Sequence, residues 1–405
     1  MDKTLRQEQA GFRKGRGTTE QIFVLRNIIE QALEWNSGLY LCFIDFQKAF
    51  DSIHRETLWK IMKAYRIPSK LINITQAMYR DSKCAVIGES GLSPWFDVES
   101  GVKQGCTMSG FLFLLVIDWI MKDTTKNKNT GIRWKLTQKL EDLDYADDLA
   151  LISSTKDHLQ TKINTLMETA NTTGLLINAD KTKSMRLNAR HHHNLKLGEK
   201  EIDDVEKFTY LGAIVSTSGG ADTDINARIR QAWGAFNKLA PVWRSNQYST
   251  RTKTRIYKSN VLAVLLYGCE TWRMTRCDEN KLDVFLHKGL RRIFKIYWPT
   301  VIPNADLRKR ANVDSISVQV KRRRWRWIGH VLRMNKSEHA RTALTWKPEG
   351  RRKRGRPKET WRRTVERERS QLGWHSWTEA EHRANNRLSW RKLINGPILH
   401  EERRN

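Results

Sequence analysis

The sequence predicts an α+β fold: a small sheet with helices packed on one face, followed by a separate helical unit. Three observations predict it. Strand-like and helix-like runs interleave in the order βα…ββ…αβ up to about Leu187. Two apolar runs flank Tyr145-Ala146-Asp147-Asp148 in the manner of a hairpin. Beyond Leu187, long stripes of apolar residues at helical spacing take over.

From Thr18 the residues Ile22, Leu25, Ile29 and Leu33 recur at helical spacing, with Thr18 or Thr19 as a cap, and the pattern stops at Asn36-Ser37-Gly38. Leu39 to Ile44 reads as a buried strand ending at Asp45. Leu58, Ile61, Met62 and Tyr65 mark a second helix closed before Pro68, which opens a third reaching Tyr79. Cys84 to Ile87 and Trp95 to Val98 read as a hairpin across a Gly/Ser/Pro turn. Gly101 to Gly110 is a glycine-punctuated loop running into an apolar helix from Phe111 to Met121. After the acidic hairpin, Leu159, Ile163, Leu166 and Ala170 define a helix ended by Gly174, and Leu175-Leu176-Ile177 a strand. Leu195 to Ile202 and Phe208 to Val215 then pattern as a hairpin. Asp222 or Thr223 caps a helix with Ile225, Ile229, Ala232, Phe236 and Leu239 on one face, and two further helices cover Arg251 to Leu266 and Asp278 to Ile296.

Charge points to the partner. With 73 Lys and Arg against 44 Asp and Glu, a net charge of +29 over 405 residues favours a polyanion, and nucleic acid leads. At 39% hydrophobic the chain can still bury real cores, and its length fits two or three domains. Between Lys321 and Arg369 stand 19 Lys and Arg against 5 Asp and Glu, interleaved with Trp325, Trp327, Trp346 and Trp361. Those rings either stack on unpaired bases or pack a helical core, and for Trp325 and Trp327 packing is the favoured reading. The five cysteines are scattered without zinc or disulfide spacing, so a reducing compartment is expected. The opening residues form no charged-then-apolar leader, and the longest apolar run, Phe111 to Ile120, is interrupted by Asp118. Neither secretion nor membrane insertion is expected. His191-His192-His193 reads as a loop, since consecutive side chains diverge.

Two carboxylates on a hairpin turn and a third at the end of a neighbouring strand can hold a pair of Mg²⁺ ions about 3.5 to 4 Å apart, the arrangement that serves phosphoryl transfer. Read in order, Phe43-Ile44-Asp45-Phe46-Gln47-Lys48-Ala49-Phe50-Asp51, Gly101-Val102-Lys103-Gln104-Gly105-Cys106-Thr107-Met108-Ser109, Tyr145-Ala146-Asp147-Asp148, Gly174-Leu175-Leu176-Ile177-Asn178-Ala179-Asp180-Lys181-Thr182 and Phe208-Thr209-Tyr210-Leu211-Gly212 resemble the successive palm motifs of reverse transcriptases. The resemblance is to the branch found in non-LTR (LINE-like) retrotransposons. Gln9-Ala10-Gly11-Phe12-Arg13-Lys14-Gly15-Arg16-Gly17-Thr18 resembles that branch's segment just before the palm.

The resemblance implies a right-hand polymerase: partial fingers over 1–38, a ferredoxin-like palm over 39–190, a primer-grip hairpin and helical thumb over 191–300, and a basic nucleic-acid-binding region over 301–405. It implies RNA-directed DNA synthesis, with an RNA template, a DNA primer or nicked target DNA, and dNTPs as partners. Asp45, Asp147 and Asp148, with the carbonyl of Phe46, would hold two Mg²⁺, Mn²⁺ being the alternative. Phe50 would exclude a 2′ hydroxyl, the competing reading being a core phenylalanine. Gln104 and Gly105 would meet the incoming nucleotide, against an ordinary loop. Lys181 would protonate or neutralise the leaving pyrophosphate, against a solvated lysine, and Tyr210, Leu211 and Gly212 would grip the primer, against a plain turn. Arg13 and Arg16 would touch template or triphosphate phosphates, against a solvated turn.

The short stretch before Gly11 leaves the expected fingers incomplete, and no endonuclease-sized domain precedes the palm, so a truncated copy is expected. Arg351 to Lys358 is similar to an AT-hook, with Arg354 and Arg356 directed into a minor groove. A nuclear-localisation signal, a generic phosphate-binding run and a plain linker compete with that reading. A nuclear site of action is expected, with a cytoplasmic phase alongside the element RNA. The alternative function is a catalytically impaired remnant that only binds nucleic acid, and a viral RNA-copying RNA polymerase is disfavoured by Phe50 and Ala146.

Overall fold

The computed structural model describes residues 4–89, 91–126, 129–189, 193–355 and 358–396. The chain divides into two compact units. One comprises Met1–Gln21, Trp35–Glu206 and Pro348–Arg351, and the other Ile22–Glu34, Lys207–Lys347 and Arg352–Asn405.

The centre of the first unit is the strand Leu39–Ile44, six apolar residues that are buried throughout. Uninterrupted burial means both faces of this strand are shielded from water, which is why the sequence shows no polar alternation there. It lies third in a five-stranded sheet ordered Asp203–Asp204, Lys183–Leu187, Leu39–Ile44, Asp148–Ser153, Asp142–Tyr145. All neighbours are antiparallel except the first two, which run parallel. Tyr40, Cys42 and Ile44 share a core with the helices Arg55–Ala64, Ser69–Tyr79, Ser109–Thr124 and Lys156–Thr172. The helix Ser109–Thr124 is apolar almost all round and buries eleven of its side chains, as a helix without a polar face must. Its fully buried acid, Asp118, is satisfied by Tyr65 Oη at 2.5 Å, Lys122 Nζ at 2.9 Å and the Arg6 backbone N–H at 2.8 Å. Lys162 is likewise buried, donating to the carbonyls of Glu141 and Ile152 at 2.9 and 2.6 Å beside the Glu141 carboxylate.

Several elements differ from expectation. The Cys84 to Val98 hairpin consists of two nested two-residue ladders, Lys83–Cys84 with Phe96–Asp97 and Ile87–Gly88 with Gly91–Leu92. Leu195 to Val215 is not one hairpin but two. Lys196–Leu197 folds onto Lys200–Glu201 around Gly198, and Lys207–Tyr210 onto Ala213–Ser216 around Leu211 and Gly212. The tight second turn requires positive φ at both central residues, and Leu211 and Gly212 have φ of 49° and 76°.

The second unit is helical. Asp222–Lys238, Thr250–Ile256, Arg276–Ile293 and Ile316–Leu332 contribute to one core with Phe236, Tyr257, Leu282, Phe285 and Leu290 at its centre. Asp222 opens its helix rather than capping it, since Ala221 holds the N-cap position. The predicted Arg251 to Leu266 helix contains a π-helical segment, Tyr257–Leu262, which buries Tyr257, Val261 and Leu262 together. Gly289 has no Cβ to collide with the Tyr257 ring, so the two helices close on that side chain. Among the described residues no helix is long and apolar enough to cross a membrane.

The four tryptophans of the basic stretch are all buried, so they pack rather than stack on bases. Trp325 sits among Trp374, Trp377 and Trp390 and donates its indole N–H to Glu368 Oε2 at 3.0 Å. The neighbouring Arg324 is fully buried, pairing with Glu368 and donating to the Trp272 carbonyl at 2.8 Å. Removing one partner of a buried pair leaves an uncompensated charge. Glu368→Ala should therefore destabilise the protein by about 3–5 kcal/mol and lower its urea midpoint, whereas a variant replacing both Arg324 and Glu368 by apolar residues should lose less. Equal losses in the single and double variants, measured by urea unfolding, would refute the pairing.

Candidate active site

Tyr145 and Asp148 close a two-residue hairpin whose turn is Ala146-Asp147. Ala146 has a φ of +58°, a left-handed conformation that a small non-glycine residue adopts only when something holds it. Gln9 holds it. The fully buried Gln9 amide accepts from the Ala146 N–H at 2.9 Å and donates to the Ala146 carbonyl at 3.2 Å. Its oxygen also accepts from the Gly11 N–H at 2.7 Å, while Ala10 N–H donates to the Asp144 carbonyl at 2.9 Å. Gly11 lies so close to the turn that a Cβ there would overlap the Ala146 backbone.

Across the sheet, Ile44 pairs with Leu149, and continuing that register by one residue sets Asp45 opposite Asp148, with Asp147 next along the turn. A second segment fixes the backbone of Asp45 from the other side. Its carbonyl accepts from Asn178 N–H at 2.7 Å, its N–H lies 3.4 Å from Thr182 Oγ1, and Phe46 pairs with Ile177. Asn178 Oδ1 accepts from the Lys181 N–H at 3.3 Å, and Lys181 Nζ stands 3.7 Å from Asp45 Oδ2. That carboxylate oxygen is buried and has no hydrogen-bond partner. Burial, then the charge of Asp147 and that of Asp45, push the Asp148 carboxyl up to about 6. The three carboxylates thus feel one another. As their side chains stand, no three acidic, imidazole or thiolate groups among the described residues gather tightly enough to hold an ion. Like charges this close favour splayed side chains.

The nucleotide-side residues form a neighbouring group. The Phe50 ring stacks on Phe113 at 4.4 Å and meets Phe12 edge-on at 6.3 Å. Val102 N–H donates to the Phe50 carbonyl at 2.7 Å and Gly101 N–H to the Ile53 carbonyl at 2.8 Å, which ties the Gln104 loop to the segment following Asp45. Gly101 needs its positive φ and its missing side chain, because a Cβ would press into the Asp51 backbone. Gln104 and Gly105 are exposed at the loop's outer end. Arg13 donates to the carbonyls of Arg6 and Gln9 at 2.5 and 2.8 Å, and Arg16 to that of Gln7 at 3.1 Å, so both guanidiniums brace the N-terminal turn. Phe46 has its ring buried.

Tyr210, Leu211 and Gly212 belong to the second unit. There Tyr210 is buried, the Leu211 carbonyl accepts from Tyr267 Oη at 2.9 Å, and the Gly212 carbonyl accepts from Arg228. Arg354 is exposed, and Arg356 lies outside the described residues.

Sequence reasoning missed the supports behind the hairpin. Arg6, nearly buried, pairs with Asp142 and, at 3.0 Å, with Asp144, the two residues that share one face of the strand leading into the turn. Burial raises both carboxyls, and the Arg6 guanidinium opposes the rise. Only the i, i+2 spacing of Asp142 and Asp144 on a buried strand signalled a need for a cation, and nothing in the sequence named its source.

An antiparallel sheet with an acidic hairpin beside a third acid at a strand end is the palm of a nucleotide polymerase. Residues 1–215 match the family model described as "Reverse transcriptase (RNA-dependent DNA polymerase)", and the chain belongs to that family. Residues 235–267 match a domain of unknown function, DUF6451. Over 232 residues the chain is 26% identical to a retrovirus-related Pol polyprotein from the type-1 retrotransposable element R2 of Nasonia vitripennis, covering 54% of this chain and 22% of that one. It is 26% identical over 220 residues to a putative transposon-derived protein of Caenorhabditis elegans, covering 52% and 78%. It is 24% identical over 367 residues to a probable RNA-directed DNA polymerase from transposon BS of Drosophila melanogaster, covering 87% and 39%. These matches bear out the resemblance to non-LTR retrotransposon reverse transcriptases, although the chain spans only about a fifth of the R2 polyprotein. Among solved structures, apo telomerase from Candida tropicalis is 17% identical with a TM-score of 0.43, covering 84% of this chain and 53% of that one.

Because Gln9 satisfies the turn backbone on both its N–H and its C=O, Gln9→Met should release the hairpin while keeping the side-chain volume. Faster amide hydrogen exchange at Ala146 and Leu149, with a melting temperature lowered by only a few degrees, is the expected outcome. Unchanged exchange at those amides would show that the hairpin holds itself.

Proposed function

We propose that this chain is an RNA-directed DNA polymerase, joining deoxynucleotides to the 3′ hydroxyl of a DNA primer on an RNA template. The observation that carries the reading is the meeting of Asp45, Asp147 and Asp148 at one end of the sheet, with Asp45 Oδ2 buried and without a hydrogen-bond partner, facing only the Lys181 ammonium at 3.7 Å. A carboxylate oxygen that no hydrogen bond claims, beside two further carboxylates, is a donor set suited to hard divalent cations. Asp45, Asp147 and Asp148, with the carbonyl of Phe46, would hold two Mg²⁺, or Mn²⁺. When bound, such ions supply charge neutralisation for the attacking hydroxyl and the leaving pyrophosphate.

The remaining roles fall to this chain's own residues. Lys181, exposed and with its Nζ 3.7 Å from Asp45 Oδ2, would meet the pyrophosphate as proton donor or counter-charge. The Phe50 ring, fixed between Phe113 and Phe12, would exclude a 2′ hydroxyl. Gln104 and Gly105 would touch the incoming nucleotide from the exposed end of a loop that is hydrogen-bonded to the Phe50 segment. Arg13 and Arg16 would meet phosphates of template or triphosphate, while the Leu211-Gly212 turn, with Tyr210 buried beside it, would grip the primer. Arg354 and Arg356 would hold nucleic-acid phosphates or direct the chain to the nucleus, where target DNA would serve as primer.

Incorporation of dNTPs on an RNA template with a DNA primer should fall by at least about 10²–10³-fold in Asp147→Asn. Added Mg²⁺ should raise the melting temperature of the unsubstituted protein and leave that of Asp147→Asn nearly unmoved. Equal incorporation by the two proteins would overturn the proposal. Separately, Phe50→Val should increase ribonucleotide use relative to deoxynucleotide use by roughly tenfold or more, read from single-nucleotide extension on folded protein. An unchanged ratio would return Phe50 to the core.

A further inference from the structure

We propose that the turn Tyr297-Trp298-Pro299-Thr300-Val301 is a stacking platform for the unpaired bases of single-stranded nucleic acid. The turn stands in the second unit, between the helices Arg276–Ile293 and Asn304–Ala311, and plays no part in the carboxylate chemistry. Trp298 is 87% exposed, Val301 77% and Tyr297 62%. Large rings are seldom left this open to water unless they are used, and most tryptophans of this unit show the usual outcome, Trp272, Trp325, Trp361 and Trp390 among the buried ones.

The exposure is built rather than incidental. Ile296 is buried in the helical core and Ile302 packs against it, so the turn is pinned at both ends. Arg291 donates to the Ile302 carbonyl at 3.1 Å and to Asn304 Oδ1 at 2.7 Å, and the Thr300 N–H closes the turn on the Tyr297 carbonyl at 2.9 Å. Lys295 reaches Asn246 Oδ1 at 2.8 Å, two residues before Tyr248, a further ring that is exposed. A rigid base presenting aromatic faces costs little conformational entropy when a ligand stacks on them.

Charge selects the ligand. From Lys288 to Arg310 stand seven Lys and Arg against one acid, Asp306. Lys288, Arg292, Lys295, Lys309 and Arg310 are exposed on or beside the two helices that bracket the turn. Aromatic faces within a cationic surround fit a strand whose phosphates pair with the cations while its bases leave water for the rings. A duplex hides those faces in its own stack, and an apolar protein surface would gain nothing from the cations. The shared chemistry is an unpaired base on a phosphate backbone, RNA or DNA.

The test uses the full chain with labelled 12-mers of oligo(U) and oligo(dT) at fixed salt. Replacing both rings, Tyr297→Ala with Trp298→Ala, should weaken binding about tenfold, leave the melting temperature in place and leave the salt dependence of affinity unaltered, since phosphate contacts remain. Trp298→Phe should restore most of the affinity. Oligonucleotides carrying 5-iodouracil should crosslink, on irradiation, to the tryptic peptide Ile296–Arg308. Loss in both arms supports stacking alone, and loss in one arm assigns the platform to RNA or to DNA. Unchanged affinity in both arms together with crosslinks confined to other peptides overturns the proposal, and neither result depends on dNTP incorporation.

Discussion

Asp45, Asp147 and Asp148 are brought together against their own repulsion, and the polar contacts nearest them make sense as answers to that. Strand register sets the spacing of Asp45 and Asp148, Gln9 holds the turn that carries Asp147, and the Asn178 to Thr182 segment holds the backbone of Asp45. Each of these restraints acts on main-chain atoms. A net hydrogen bond contributes only about 0.5–1.5 kcal/mol, yet leaving a buried peptide group unpaired costs more, so backbone anchoring is stiff without spending the carboxylates themselves. Asp45 Oδ2 is left without a hydrogen-bond partner and faces the Lys181 ammonium at 3.7 Å.

The strand leading into the turn carries a second acidic pair with the opposite treatment. Asp142 and Asp144 turn to one face and share Arg6, which neutralises them inside the protein. Three residues further on, Asp147 and Asp148 reach solvent and have no such cation among the contacts described above. A carboxylate pair that is compensated stabilises the hairpin, and a pair that is not stays available to a ligand. The division of labour depends on which face each residue meets, and that is a matter of tertiary position.

This explains what could be read from the residues and what could not. Helices with clean stripes, such as Thr18–Glu34 and Lys156–Thr172, and the uniformly apolar strand Leu39–Ile44 follow from periodicity, because burial alone decides them. The placing of Asp45 opposite Asp148 agrees with what five motifs in a fixed order imply. The sequence assigns Gln9 no role, because its partner is 137 residues away. Alternation over Leu195 to Val215 does not say which run pairs with which, and two-residue turns at Gly198-Glu199 and Leu211-Gly212 decide it. The π-helical Tyr257–Leu262 leaves no compositional trace, for it is a local change of register inside an ordinary apolar stripe.

The basic C-terminal stretch shows how a count of charges can mislead about where a ligand is held. Arg324 is spent on Glu368, Arg363 on Glu34, and Arg333 and Arg369 donate to the carbonyls of Ala384 and Trp374. Arginines that bond carbonyls keep their charge, so the positive field around the helical unit survives, but their forked donors no longer face a phosphate. A field of that kind attracts a polyanion without orienting it. Orientation needs exposed groups with a shape of their own. In this helical unit the buried indoles hold the fold while Trp298 is held out from it, so tryptophan content by itself carried no information about binding until burial separated the two uses.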